Sequence, residues 1–410
     1  MPGSRADSSG PELTTGQRIK SLRKRRGMTR EVLGALVGKS GSWVKAVETG
    51  RLQQPKLPML LRVAEALRVK DLAELTGDQS LPVHLFAGPG HPALPAVRDA
   101  VNDLVLPDGP PPPLDHLRAR ISAAWRARHA APDHRTVLGG LLPGLIRDAQ
   151  KAVRVYQGDD QRSAQAMLTS VYNLAQFFLA YQPAADLLWR VAERAMTAAL
   201  EADDPQAVGG AVWLLAQAHR DAGDFDAAEV VNRQGLDLLR PHMHEAGTGL
   251  RAMWGALLFE AAYTAARAGE SGTAWRLWDR ANDVAERLPH DYYDPMTSFS
   301  GVIMGAHAVT TAVELRQGAE SERQARRTAS LAIPSQPRRG RHLIEVARAH
   351  HLNNEVQATL GTLDAAYTAA PETIRYNGYA RGILTELTGK GPAQQRRRAQ
   401  DLADRAGLMV

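Results

Sequence analysis

Between Thr15 and Leu75 apolar residues recur at intervals of three and four, the period of short amphipathic helices, with glycine or a small hydroxylated residue at each break. A first helix is predicted from Thr15 to Arg26, where Ile19 and Leu22 form the apolar stripe among Arg18, Lys20, Arg23, Lys24, Arg25 and Arg26, and Gly27 stops it. Thr29 is placed to cap a second helix with Val32, Leu33 and Leu36 as its buried face, and Gly38 suits a tight turn. Ser40 caps a third helix, in which Val44 and Val47 point inward and Gly41, Ser42, Trp43, Lys45 and Ala46 are left on the outward or N-terminal side. Gly50 ends it, a loop from Pro55 to Pro58 follows, and Met59, Leu60, Val63, Leu67 and Leu72 supply two closing helices. Residues 15–76 thus read as a five-helix domain, preceded by a disordered tail over residues 1–14.

The pattern then changes. Residues 77–115 are rich in Pro and Gly and read as a connector, interrupted by one helix over about 92–105 in which Leu94, Val97, Val101 and Leu104 share a face. The Pro110 to Pro113 run is expected to be extended polyproline II, a semi-rigid spacer. From 116 to 410 the chain is repeatedly amphipathic at helical period with no alternating strands, so the fold class is all-α. The clearest unit is Ala211 to Pro241, a helix, a Gly223-Asp224-Phe225 turn and a second helix carrying small Ala228. Weaker copies align on turns at Gln182-Pro183, Gly269-Glu270, Gly318-Ala319, Asn353-Asn354 and Gly389 to Gly391, at irregular intervals of 35 to 49 residues. A stack of such hairpins buries a continuous core and leaves a concave groove.

Composition narrows the classes. No cysteine is present, which excludes disulfides and thiolate metal sites and suits a reducing compartment. The N-terminal MPGSRADSSGPEL lacks the apolar core of a signal peptide and no run of 18 apolar residues occurs, so a soluble cytoplasmic protein is expected. Residues 1–76 hold 15 Lys and Arg against 7 Asp and Glu, a net of +8, so the remainder carries −2 of the chain's +6. A basic surface attracts phosphates whatever their sequence, so this charge supports a nucleic-acid partner without specifying an operator.

The stretch from Gly16 to Leu75 resembles the lambda-repressor/Cro type of helix-turn-helix, often called the XRE family, through Gly38-Lys39-Ser40 before the third helix and Glu48-Thr49-Gly50 after it. The resemblance implies double-stranded DNA as partner, with base readout by Gly41, Ser42, Trp43, Lys45 and Ala46 and phosphate contacts by Arg18, Arg23, Arg25, Arg30, Lys39 and Arg51. One position departs: the family often has Gln at the second residue of its second helix, where this chain has Arg30. A rival motif overlies the same residues, since Gly34 to Ser40 looks like a phosphate-binding P-loop. It has three residues between its glycines instead of four and no apolar strand before it, so the phosphate cradle would not form.

The Ala211 to Pro241 unit resembles a tetratricopeptide (TPR) repeat, with Leu215, Ala216, Gly223, Phe225, Ala228 and Gly235 at matching positions, which implies a right-handed α-solenoid of TPR-like hairpins. In that register the groove is lined by Tyr172, Gln176, Trp213, Gln217, Arg220, Phe259, Tyr263, Arg267 and Arg316. Amides there suit a peptide backbone, aromatics its side chains and arginines a carboxylate, although aromatics at helical spacing also serve simply as core. Other chemistry is thin. His242 and His244, or His350 and His351, do not share a helix face and lack a third ligand, so no metal is expected. No Gly-x-Ser-x-Gly, HExxH or paired carboxylate motif points to an enzyme, and no cofactor is called for.

A Cro-type head on a TPR-like body resembles the peptide-pheromone receptors of Gram-positive bacteria and the XRE regulators of actinobacteria. What this implies is a quorum-sensing type of transcriptional regulator whose repeat domain homodimerises and binds a short signalling peptide, changing how two heads meet two half-sites of a palindromic operator. The alternative is a DNA-binding scaffold whose body docks a protein partner.

Overall fold

The computed structural model describes residues 13–52, 55, 57–67, 69, 72–76, 90–105 and 108–408. Among them the ordered elements are helices and no strand occurs. The expectations for residues 1–12 and 77–89 lie outside the described residues. The chain divides into two compact units, Met1–Pro89 and Gly90–Val410.

The head holds α1 (Thr15–Arg25), α2 (Arg30–Leu36), α3 (Gly41–Glu48), α4 (Leu57–Ala66) and α5 (Ala73–Thr76). Side-chain caps set three of the starts. Thr14 and Gln17 form a reciprocal capping box on α1, Thr29 Oγ1 accepts from Val32 N at 3.2 Å, and Ser40 Oγ accepts from Trp43 N at 3.2 Å. Between α2 and α3 the chain reverses through Gly38 at φ +67°, and a Cβ on Gly34 would lie 2.6 Å from the Lys39 carbonyl oxygen. The P-loop candidate is this turn. The core comprises Ile19, Leu22, Leu33, Val37, Val44, Val47, Leu60, Val63 and Leu67, all buried. The expected face of α2 is corrected: Val32 and Leu36 are 47% and 58% exposed, because the helix is rotated to bury Leu33, Gly34 and Val37 instead.

The second unit begins with α6 (Leu94–Asn102), which buries Val97, Ala100 and Val101 against the body. Leu104, expected on the same face, lies beyond the helix end and is exposed, as is Val105. Seven helical hairpins follow among the described residues: α7 (Leu114–Ala130) with α8 (His134–Val155), α9 (Gly158–Leu179) with α10 (Ala185–Ala202), α11 (Pro205–Ala222) with α12 (Phe225–Leu239), α13 (Thr248–Ala268) with α14 (Ser271–Ala285), α15 (Gly301–Glu314) with α16 (Gly318–Arg327), α17 (Gln336–Leu352) with α18 (Val356–Ala369), and α20 (Gly378–Gly389) with α21 (Ala393–Arg405). The short α19 (Pro371–Tyr376) sits between the last two. All six turns anticipated from sequence are hairpin turns. The α7/α8 hairpin was not anticipated, although Ala131-Pro132-Asp133 carries its turn signal. Gly235 lets α12 press onto α11, since a Cβ there would meet Val212 Cγ1 at 2.3 Å.

The hairpins do not form an open row. Glu372 of α19 accepts from Arg135 N at 2.5 Å and from Thr136 Oγ1 at 2.6 Å, satisfying orphan donors at the start of α8. His129, at the end of α7, bonds Ser335 Oγ at 2.8 Å through Nδ1 and the Pro295 carbonyl at 2.5 Å through Nε2. The far hairpins therefore return to the first one, and α17 packs directly on α7.

Candidate nucleic-acid interface and the interior of the body

The outward side of α3 is accessible at two side chains. Ser42 and Lys45 are exposed, while Gly41, Trp43 and Ala46 are half-buried, with Trp43 packed against the core. Trp43 and Ala46 therefore also help seat the helix. Lys24, Arg25, Arg26, Lys39 and Arg51 are exposed. Arg18 is half-buried and donates to the Leu13 carbonyl at 3.0 Å.

Arg23 is not a surface cation, and its expected role in contacting phosphate is corrected. Its Nε and Nη2 donate to Glu48 at 2.5 and 3.2 Å, and Nη1 donates to the Met28 carbonyl at 2.6 Å, all inside the head. Arg30 Nε donates to the second Glu48 oxygen at 2.7 Å and keeps 31% of its side chain exposed. A fully buried carboxylate on α3 is thus clamped by guanidiniums from α1 and α2. Burial opposes the Glu48 charge, but the hydrogen bonds and charges of Arg23 and Arg30 outweigh it and hold its carboxyl below the usual range. Arg30, at the start of α2, accordingly braces the third helix. Glu31 was also missed: its carboxylate lies against Gly41, where a Cβ would come within 2.8 Å of Oε1, placing an acceptor beside the start of α3.

The proposed groove of the body is largely filled. Tyr172 faces α8 rather than a groove, accepting from Gln150 Nε2 at 3.0 Å, and is 3% exposed. Trp213 packs near Phe177, and Phe259 stacks on His307 at 3.5 Å between centroids. Gln176 is buried, Gln217 half-buried, and Arg316 is exposed beyond the end of α15. The lining assignment is corrected for Tyr172, Trp213 and Phe259, which are core. Arg220, Tyr263 and Arg267 do come together. Arg220 lies over the Tyr263 ring at 4.0 Å and pairs with Glu260, and Arg267 pairs with Asp221 at 3.0 Å. Facing them is α17, whose Arg341 donates to the hydroxyls of Tyr181 at 2.9 Å and Tyr263 at 3.2 Å, and whose Arg348 pairs with Glu314 and Glu345, each at 2.7 Å. Arg348 also stacks on Tyr379 of α20 at 3.7 Å. Alignment of repeat registers could not reveal that α17 faces these residues, because a closing contact between distant hairpins leaves no local period.

Burial dominates the titration of this interior. It pushes His342 down to about 4 and His307 well below its ordinary value, so both rings are neutral, and it pushes Glu260 up to about 7 against the attraction of Arg220. The histidine pairs weighed as metal ligands sit elsewhere: His350 pairs with Glu355 at 2.7 Å, and His244 bonds the Pro241 carbonyl at 2.9 Å.

Residues 15–76 match the family model of a helix-turn-helix domain, the class that the head's geometry defines. No curated protein matches the chain. Among solved structures the chain is similar to PlcR of Bacillus thuringiensis in complex with the peptide PapR7 and DNA, at 12% identity, covering 87% of this chain and 99% of that one with a TM-score of 0.32. It is also similar to ComR of S. thermophilus in complex with DNA and its signalling peptide ComS, at 11% identity, with the same coverage and a TM-score of 0.24. No described helix is long and apolar enough to cross a membrane.

Proposed function

We propose that this chain is a sequence-specific DNA-binding transcriptional regulator of the cytoplasm, whose helical body homodimerises and senses a small ligand, a short signalling peptide. The observation that carries the DNA reading is the head itself: a helix-turn-helix domain presents Ser42 and Lys45 on α3, with Arg25, Lys39 and Arg51 exposed on the same domain. Ser42 and Lys45 read base edges, and the arginines and Lys39 hold phosphates. One such head gives limited affinity, and two heads on a palindrome raise it through effective concentration, so dimer geometry becomes the quantity a ligand controls. The sensing reading draws support from the body's interior, where arginines, tyrosines and carboxylates of hairpins distant in sequence meet.

The test is binding of the full chain to its own upstream region at two salt concentrations, against a scrambled duplex, with and without a peptide-containing culture extract. Preference for the native duplex that survives the higher salt, falls in Lys45→Ala and shifts with the extract is expected. Salt-sensitive binding indifferent to sequence would overturn the specific-regulator reading. A stable copurifying protein with no response to the extract would replace the ligand with a docked partner.

A further inference from the structure

Two arginines whose Nε atoms are buried in the body have no counter-ion among the described residues. Arg128 of α7 is 4% exposed; among the described residues it makes no ion pair, its polar contact is the His129 ring, at 3.4 Å or beyond, and it otherwise stacks on Phe177 at 3.8 Å. Its Nε has no hydrogen-bond partner. Arg338, two residues into α17, likewise has a buried Nε without a partner and makes no ion pair among the described residues. Arg220, Arg267, Arg341 and Arg348 by contrast each pair with a carboxylate, respectively Glu260, Asp221, Glu345 and Glu345, and Arg135, which makes no ion pair among the described residues, donates through Nη1 to the Phe177 and Phe178 carbonyls. Beside the two lies Tyr293, whose buried hydroxyl also lacks a partner and whose ring stands edge-on to His129 at 6.0 Å.

His129 does not supply the missing charge. A carbonyl only accepts, so His129 Nε2 must carry the hydrogen toward Pro295, which leaves Nδ1 to accept from Ser335. Burial and the neighbouring Arg128 push this ring down to about 4, keeping it neutral. Burial also lowers Arg128, to about 9, with repulsion from Arg338 adding to it, so both guanidiniums remain charged at neutral pH and repel each other. Desolvated cations left unpaired are costly, and native proteins retain them where a ligand completes the set.

We propose that Arg128, Arg338 and the Tyr293 hydroxyl form an oxyanion site between α7 and α17 that holds the carboxylate end of the body's ligand. The three unpartnered donors on packed segments stand by themselves; the identity of the anion as part of a signalling ligand rests on the function proposed above. A carboxylate bound there would bridge the first and sixth hairpins.

The experiment is thermal unfolding of the full chain with acetate or succinate, inorganic phosphate, or chloride at constant ionic strength. The carboxylates are expected to raise the midpoint by about 2–4 °C at tenfold over half-saturation, with chloride inert. Phosphate matching or exceeding them would move the assignment from a carboxylate to a phosphoryl ligand and overturn it. In Arg338→Met and in Arg128→Met the shift should vanish while the free protein melts at or above the wild type, because an uncompensated cation has been removed. Arg341→Met, which breaks bonds to Tyr181, Tyr263 and Glu345, should instead lower the midpoint. If Arg338→Met and Arg128→Met melt below the wild type, or keep the carboxylate response, the site is refuted. Carboxylate stabilisation with no effect on DNA affinity would keep the site and sink ligand sensing; DNA affinity that answers to a peptide while no anion moves the midpoint would sink the site alone.

Discussion

Replacing Glu48 by Gln removes one charge from the centre of the head and keeps its shape. Glu48 is fully buried, and Arg23, its partner on α1, retains 8% exposure of its side chain. The substitution strands the Arg23 guanidinium with the Met28 carbonyl and whatever the amide oxygen can accept. Breaking a buried pair by removing one partner costs about 3–5 kcal/mol. Arg30 can turn its partly exposed side chain to water, so its share is discounted to at most about 1 kcal/mol. A loss of about 3–5 kcal/mol is most of the stability of so small a domain, whose total is on the order of 5 kcal/mol. Hydrogen exchange in the full chain reads this directly: amides of α1, α2 and α3 should lose protection in Glu48→Gln while those of α9 and α11 keep theirs, and DNA binding should fall with the head. A paired replacement, Arg23→Met with Glu48→Leu, should recover most of the protection, because an apolar pair of similar volume leaves no stranded charge. If Glu48→Gln retains full protection across α1 to α3, or the double variant is worse than the single, the clamp does not hold the three helices as argued.

Further outcomes follow from the same structure. The folded head holds the Glu48 carboxyl below its ordinary 4.5, so its contribution is complete above that pH and is lost as pH falls through the lower folded value; acid titration of exchange should show this loss in wild type and not in the double variant. Arg25→Ala should leave the head's protection unchanged, weaken native and scrambled duplexes alike, and reduce the salt slope by about 1, whereas Arg23→Ala should unfold the head; equal stability of the two variants would contradict the burial of Arg23. Glu372→Ala removes the acceptor at the start of α8 and should lower the body's unfolding free energy by about 1–2 kcal/mol in a denaturant melt; no change would show that water replaces it freely.

What could be read in the sequence were the features that local chemistry writes into it. Thr29, Ser40, Gly27 and Gly38 each act on the neighbouring few residues, and the turns at Gly223 and Gly269 are left-handed positions that glycine fills without strain. The readings that failed concern side chains whose partners lie far along the chain. Arg23 sits among four other cations of α1 and differs from them in facing Glu48, 25 residues away. Tyr172 and Phe259 have helical spacing that serves core and groove equally, and their neighbours decided the matter. Arg128 and Arg338 fell outside the groove registers altogether, because their relation exists only once α17 meets α7.

A stack of repeats in which each unit touches only its neighbours can fold from any point and fray from either end. The bonds from His129 to Ser335 and from Arg135 to Glu372 span 206 and 237 residues, and they tie the first hairpin to the sixth and to α19. Closing loops of that length is entropically unfavourable until everything between is in place, so these bonds form late and their hairpins wait on the whole body. Once made, they link the fate of the first hairpin to the sixth: the two are expected to melt together, and cutting the chain anywhere between α8 and α17 should loosen both.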